Sequence, residues 1–266
     1  MDKYSETNRS LWNGWTKIHA ESELYDLDSF KNGRCSLRST ELEEVGDVDG
    51  KSMLHLQCHF GQDTLSWARR GAEVTGVDFS KDAIDLAKSL SSELEIPAEF
   101  VNCDVYKLTE NIKGQYDIIF TSYGVLPWLR DLNRWGEIVY HFLKPGGIFY
   151  IVEFHPFASM LDESGENFEF PYFPTGDAIK WAVEGSYANP DAEFKHDSYE
   201  WAFGLGDVIT ALTNAGLRIE FLHEFPYSNW NCRPYTKEIA PGRYVYPGLK
   251  HELPYMFSIR ASKEQA

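Results

Sequence analysis

Clustered positive charge, long apolar runs and paired cysteines are all scarce in this 266-residue chain. Each scarcity closes off a class of function. Lys and Arg number 25 against 41 Asp and Glu, for a formal net charge of -16, and no basic run stands out. A nucleic acid footprint needs clustered cations to replace counterions, so a nucleic acid partner is not expected. No apolar stretch approaches the roughly 20 residues needed to cross a bilayer. Asp2, Lys3 and Glu6 come before any apolar run, which is not a signal-peptide pattern. The expectation is a soluble, cytoplasmic protein with no membrane partner. Four cysteines, Cys35, Cys58, Cys103 and Cys232, are widely scattered without paired spacing, which predicts reduced thiols.

Apolar material is plentiful, at 43% hydrophobic and 15% aromatic residues. The length suits one domain with insertions better than two independent ones. The most organised stretch runs from Ser52 to Ser80, SMLHLQCHFGQDTLSWARRGAEVTGVDFS. Met53, Leu54, Leu56 and Cys58 form a short, mostly apolar run with a loop signal behind it, as a buried parallel strand does. Gly61 opens a helix that carries Leu65, Trp67 and Ala68 and closes with Gly71. Val74 to Val77 form the next strand and run into Asp78. An acid at that tip can accept hydrogen bonds from both hydroxyls of a ribose, while the first loop and helix start hold the rest of the ligand. The unit therefore predicts a nucleoside ligand. The loop, Gln57 to Gly61, keeps a single glycine where a dinucleotide fingerprint needs three, so a nicotinamide-dependent oxidoreductase is disfavoured.

At these residues the sequence resembles the class I S-adenosylmethionine-dependent methyltransferases, whose first motif reads apolar, acid, apolar, Gly, x, Gly, x, Gly. His55 stands at the acid position, Gln57 and His59 at the first two glycines, and Gly61 at the third. The resemblance extends in order along roughly residues 50 to 155. Asp78 and Phe79 fall where the family binds ribose and adenine, and Asp104 with Val105 in VNCDVY where it reads adenine. YDIIFTSYG, with Ser122 and Tyr123, matches the fourth strand and its loop; HFLKPGGIFYIVE matches the helix, turn and fifth strand. The resemblance implies a Rossmann-like α/β fold: a seven-stranded, mostly parallel sheet with helices on both faces and an antiparallel last strand. It also implies S-adenosyl-L-methionine as cofactor, held by Gln57, His59, Gly61, Asp78, Phe79, Asp104, Val105 and Ser122.

Around that core the chain divides into a helical lead-in over 1–48, a cofactor-binding core over 50–153, an insertion over 154–203, and a closing helix with two strands over 204–266. The lead-in places Leu11, Trp15 and Ile18 at helical spacing, with Trp12 beside them. Ser39 or Thr40 is placed to cap a short acidic helix ending near Gly46. In many related enzymes such helices fold over the cofactor, which makes Tyr25 a site candidate as well as a packing one. Strands alternating with helices predict a parallel sheet whose ligands lie beyond the strands' carboxyl ends.

The insertion after the fifth strand is far longer than an ordinary connection. AIKWAVEGSY and FKHDSYEWAF alternate in hydrophobicity on either side of ANPDAE, which predicts an antiparallel hairpin. A second insertion, about 226 to 252, is dense in tyrosine and proline. Both are expected to converge over one rim as lids. Trp181, Tyr187, Tyr199, Trp201, Tyr227, Trp230 and Tyr235 then either line an enclosed cavity, stabilise the insertions, or serve a homodimer interface. A small-molecule acceptor follows from such a lid. The implied reaction is displacement at a sulfonium methyl, in which the protein aligns the groups, excludes water and removes a proton where needed. His155 with Glu153 is the leading candidate base, with Tyr123 and His59 as alternatives, although a histidine before Pro156 also suits a loop-shaping role. His55 and His59 lack a third ligand at metal-binding spacing, so no metal is expected. The altered glycine positions keep a second class open: a non-catalytic protein that binds S-adenosylmethionine or S-adenosylhomocysteine.

Overall fold

The structure is a computed structural model that describes residues 2–265, apart from 163, 232, 234 and 248–250. In chain order the helices are α1 (Lys3–Ala20), α2 (Leu27–Lys31), α3 (Ser39–Val45), α4 (Gln62–Ala68), α5 (Lys81–Glu93), α6 (Leu108–Asn111), α7 (Leu132–Phe142) and α8 (Leu205–Asn214). The strands are β1 (Ser52–Leu56), β2 (Glu73–Asp78), β3 (Glu99–Asn102), β4 (Tyr116–Ser122), β5 (Leu143–Phe154), β6 (Ile179–Glu184), β7 (Lys195–Glu200), β8 (Arg218–Phe225), β9 (Lys237–Ala240), β10 (Arg243–Val245) and β11 (Met256–Ser262).

Seven strands form one sheet in the order β3-β2-β1-β4-β5-β11-β8. β1 to β5 pair in parallel, and β11 runs antiparallel to both neighbours, β5 and β8. This is the Rossmann-like sheet with an antiparallel last strand that the family resemblance implies. Strands covered on both faces need apolar residues on both faces: Met53, Leu54, Leu56, Ile119, Phe120 and Ile151 are all fully shielded from solvent. Trp67 of α4 seals one side of the sheet and Trp135 of α7 the other. Each such burial is worth roughly 2–3 kcal/mol relative to exposure. α7 and α8 approach closely because Gly136 carries no side chain; a Cβ there would meet the carbonyl oxygen of Ala211 at 2.7 Å.

Three local features differ from the sequence reading. α3 begins at Ser39 with Arg38 in the capping position and no side-chain cap, so neither Ser39 nor Thr40 caps it. The Lys144–Gly147 segment, read as a turn before the fifth strand, falls within β5 as a bulge out of register with β4, with Gly146 turning at φ 79°. The second insertion is not all loop, since β9 and β10 form a small hairpin within it. Cys35, Cys58 and Cys103 are free thiols, and Cys232 lies outside the described residues. No helix among the described residues is long and apolar enough to cross a membrane.

The two insertions do meet. A Cβ on Gly165 of the first would stand 2.9 Å from the ring of Tyr235 in the second. β6 and β7 pair antiparallel, as ANPDAE predicts, and this hairpin is fastened to α1 by paired polar contacts. Asn8 Nδ2 donates to the Tyr199 carbonyl (2.6 Å), and the Tyr199 N–H donates back to Asn8 Oδ1 (2.8 Å). Further along, the Trp15 indole N–H donates to the Gly185 carbonyl at 2.9 Å, and Phe194 packs so closely on Gly14 that no Cβ fits there. On its other side, α1 offers Asn13 Oδ1 to the hydroxyl of Ser80, the residue that caps α5 (2.8 Å). The lead-in helix thus joins the hairpin to the core.

Candidate cofactor and acceptor site

The carboxyl ends of β1, β2 and β4 converge on the loop between β1 and α4. Gln57 and His59 both adopt left-handed backbone, with φ of 55° and 51°, and Gly61 follows at 79°. That geometry is why glycine is the usual occupant of such positions; a residue with a side chain costs on the order of 1–3 kcal/mol there. Gly61 is required for a second reason, because a Cβ would press on the Phe100 ring at 2.6 Å.

Asp78, 7% exposed, ends β2 directly beside this loop. One carboxylate oxygen accepts from the His59 N–H (2.9 Å) and the other from the Ser80 N–H (2.8 Å). Burial pushes its pKa up to about 6, and the backbone donors at Ser80, His59 and Phe79 only partly counter this. Asn102 Nδ2 fixes the turn by donating to the carbonyls of Asp78 and Phe79. Asp104 lies at the neighbouring tip after β3, where it accepts from the Tyr106 N–H (3.0 Å) and caps a short turn. Val105 next to it is buried in the core, so its backbone is what remains to face a ligand.

The loop side chains point under the lead-in helix. His59 Nε2 and His19 Nδ1 are 2.9 Å apart, and the far nitrogen of His19 meets Ser186 Oγ at 2.7 Å. One hydrogen bond therefore joins the motif loop to α1, and the next joins α1 to the hairpin. Burial holds His19 down at about 3, and burial with the neighbouring His19 holds His59 below its ordinary value. Both rings are neutral at pH 7. Tyr25 stacks on His19, with ring centroids 5.1 Å apart, and its hydroxyl meets that of Tyr187. Trp12 packs edge-on against His59 (5.2 Å) and against Trp128 (5.3 Å). Tyr187 keeps 53% of its surface accessible. Gln57, His59, Asp63, Ser122 and Tyr123 are likewise only half-buried. Around His59 the rings of Trp12, Tyr25 and Phe60 close in, with Trp128 beyond Trp12. Two open clefts elsewhere, of about 360 and 590 Å³, are lined by Thr109, Arg134 and their neighbours and by Arg130, Tyr172 and theirs, and contain none of the loop residues.

Not every candidate gathers here. Glu153, 2% exposed, turns its carboxylate onto backbone: it accepts from the N–H groups of Gly124, Val125 (2.7 Å), Leu126 (3.2 Å) and Phe154 (2.7 Å). It clamps the loop after β4. His155 accepts from the Phe157 N–H at Nδ1 (3.1 Å) and meets Glu224 of the far edge strand at Nε2 (3.0 Å), directed away from Asp78. Tyr123 donates its hydroxyl to Glu41 (3.0 Å) and accepts from Asn229 (3.0 Å). Burial and the nearby Asp63 charge raise Glu41 to about 8. Of the insertion aromatics, Tyr187 reaches the His19–His59 pair and Trp230 packs near Tyr123. Trp181, Tyr199, Trp201, Tyr227 and Tyr235 contact Phe170, Tyr4, Phe225 and Tyr246, rings outside the loop cluster. His55 diverges from His59 and bonds Thr64 Oγ1 at 2.8 Å.

Sequence reasoning missed Asn8, His19, Asp63 and Ser186. A signal for two of them exists: Asn8, Trp12, Trp15 and His19 recur at spacings of four, three and four, one face of a helix. Polar residues on such a face mark a place where something polar is packed against it.

Fold and motif loop together resemble those of the class I S-adenosylmethionine-dependent methyltransferases. Residues 53–147 match the family described as Methyltransferase domain. The chain is 28% identical over 134 residues to a ubiquinone biosynthesis O-methyltransferase from Alkalilimnicola ehrlichii, covering 50% of this chain and 54% of that protein. It is 26% identical over 229 residues to the protein of the same name from Bordetella avium, covering 86% and 83%. The chain thus spans little more than half the length of several curated relatives it matches. In fold it resembles a putative S-adenosylmethionine-dependent methyltransferase from Listeria monocytogenes, with TM-score 0.59, 19% identity, and 85% of this chain and 96% of that one covered.

Proposed function

We propose that this protein is an S-adenosylmethionine-dependent methyltransferase acting on a small-molecule acceptor, as a single domain over 1–266 with 154–203 and 226–252 as lids. The observation that carries the reading is Asp78 at the tip of β2, hydrogen-bonded to the N–H of His59 in a left-handed loop. The residues fit the cofactor. Asp78 retains acceptor capacity for ribose hydroxyls, and Asp104 and the Val105 backbone sit one strand over for the adenine. Gln57 Oε1, His59 Nδ1 and the Trp12 indole nitrogen are buried polar atoms without protein partners, as expected of a surface that awaits a polar ligand. Bound there, the cofactor supplies an activated methyl group.

The chain's own part is alignment, exclusion of water and handling of the acceptor proton. Trp12, Trp128 and Tyr25, packed around His59, are the rings that would keep water from the reacting groups. For the proton, the neutral His59 imidazole is preferred to His155: its Nδ1 has no protein partner while Nε2 is bonded to His19, and Ser186 behind His19 supports that arrangement. This ring packing favours small acceptors, and the names of the relatives make hydroxyl-bearing acceptors the first to try.

The test is calorimetry with S-adenosylmethionine, S-adenosylhomocysteine and NAD, followed by mass-spectrometric turnover on small hydroxyl-bearing acceptors. Binding of the first two but not NAD, with methylated product, is expected. Absence of binding refutes the site. Binding without turnover on any acceptor favours the non-catalytic alternative that Gln57 and His59 motivate.

A further inference from the structure

Asp63 sits in the first turn of α4, two residues past Gly61, and no step of the proposed reaction uses it. Its oxygens accept from Ser36 Oγ (2.6 Å) and Ser122 Oγ (3.2 Å), both uncharged. Among the described residues no cation pairs with it. Arg34 is directed at Asp26, 3.6 Å away, and Arg38 lies over the Trp230 ring at 4.3 Å. Desolvation raises its pKa, and the two serines and the two arginines only partly offset that. The charge is nevertheless central, since it is felt at Tyr25, Glu41, Cys58 and Tyr123. Asp63 is only half-buried, so part of it remains open to a ligand.

Two neighbours sharpen the question of what this carboxylate faces. His55 stands where the first motif carries an acid, but it is 2% exposed, bonded to Thr64 and neutral. It offers no negative charge. Gln57 follows β1 at the level of Ser122, given that His55 pairs with Phe120. Its Nε2 donates to the Val125 carbonyl (3.1 Å), which leaves Oε1 buried with no partner. Asp63 bonds Ser122 at the end of β4 and Gln57 bonds Val125 in the loop that follows, so a carboxylate without a cation and an amide oxygen without a donor are both tied to this one strand end. A partly buried carboxylate held only by neutral hydroxyls is costly to leave charged, and a primary ammonium has the charge and the three donors to answer it and a neutral acceptor besides.

We propose that Asp63, with Gln57 Oε1 as the neutral second acceptor, is the anchor for the α-ammonium group of S-adenosylmethionine. The acid that the first motif lacks at His55 is replaced by one from the following helix. This assignment rests on the reading of the site as a methyl-donor site and adds to it the residue that recognises the amino-acid end.

Calorimetry separates the two claims. Three ligands are compared at pH 7.5: S-adenosylhomocysteine, its analogue with hydrogen in place of the α-amino group, and 5′-methylthioadenosine, which lacks the amino-acid end altogether. The wild-type protein is expected to bind S-adenosylhomocysteine at least about tenfold more tightly than the desamino analogue. Asp63→Asn should lose about that factor for S-adenosylhomocysteine and nothing for the other two. Equal wild-type affinity for the first two ligands overturns the assignment without need of a variant. It is also overturned if Asp63→Asn binds S-adenosylhomocysteine normally, or if all three ligands weaken together, as a structural role would require. A wild-type protein that binds none of the three overturns the site itself and the anchor with it.

Discussion

Replacing Asp78 by Asn should separate what this carboxylate does for binding from what it does to stability. In the folded protein Asp78 is 7% exposed and its pKa is raised from 3.8 to about 6, chiefly by desolvation. An acid held more protonated in the folded state than in the unfolded one adds stability that is fully present below the unfolded value of about 4 and lost as pH rises through 6. The gap between 3.8 and about 6 corresponds to roughly 3 kcal/mol at 1.36 kcal/mol per pH unit. At neutral pH the ligand-free wild type therefore carries an ionisation penalty that Asn does not have. Urea denaturation of both proteins at pH 4, 5, 6 and 7.5 should show the stability of Asp78→Asn, relative to wild type, rising by roughly 3 kcal/mol across that range and then levelling off. The fixed loss from an amide beside the His59 and Ser80 N–H groups cancels in this comparison, because it does not change with pH. Over the same series, S-adenosylhomocysteine binding at pH 7.5 should weaken at least about tenfold, since hydrogen bonds from two hydroxyls to a charged acceptor are weakened. A variant whose relative stability stays flat with pH, or one that binds with wild-type affinity, refutes the reasoning.

Two further perturbations probe the neighbouring groups. Glu153→Gln keeps an oxygen for the loop N–H groups but turns an NH₂ toward the others, so the urea midpoint should fall by the equivalent of roughly 1–3 kcal/mol; an unchanged midpoint would mean the clamp on Gly124 to Leu126 is unimportant. His59→Gly relieves left-handed strain at φ 51° and removes the ring that meets His19. If the imidazole serves the acceptor, single-turnover methyl transfer at saturating cofactor should slow by about 10²-fold or more; wild-type transfer rates in this variant would remove His59 from the chemistry.

The sheet was legible from sequence because its signal is one-dimensional. Short apolar runs such as Met53–Leu56 and Ile118–Phe120 alternate with helical stripes, and each run needs only to be apolar to be buried. Asp78 was legible for a related reason: the strand that ends at it fixes its place at the ligand side. The hairpin could be read from alternation on either side of ANPDAE. What could not be read are side-chain destinations. Glu153 reaches the tip of β5 as its position implies, yet its partners are backbone N–H groups, which every sequence supplies alike. His155 is committed to Glu224, 69 residues further along the chain. Asn8 and His19 meet partners 191 and 167 residues away. An aspartate in a first helical turn, such as Asp63, ordinarily answers the helix dipole and so attracts no notice.

Gln57 and His59 mark the boundary between the two kinds of information. Their departure from glycine is visible in the sequence, and the positive φ at both positions shows that the backbone kept the geometry glycine would have adopted without strain. Strain of this kind persists only where the surroundings hold it in place. For His59 those surroundings are identifiable: Asp78 takes its N–H, His19 takes its ring, and Trp12, Tyr25 and Phe60 pack around it. For Gln57 they are fewer, with one hydrogen bond to the Val125 carbonyl and an oxygen left without a partner. The less supported of the two strained residues is the one with a free acceptor, and it is bonded to the loop after β4, the strand whose last residue, Ser122, holds Asp63; a ligand's ammonium group there would supply the missing contact.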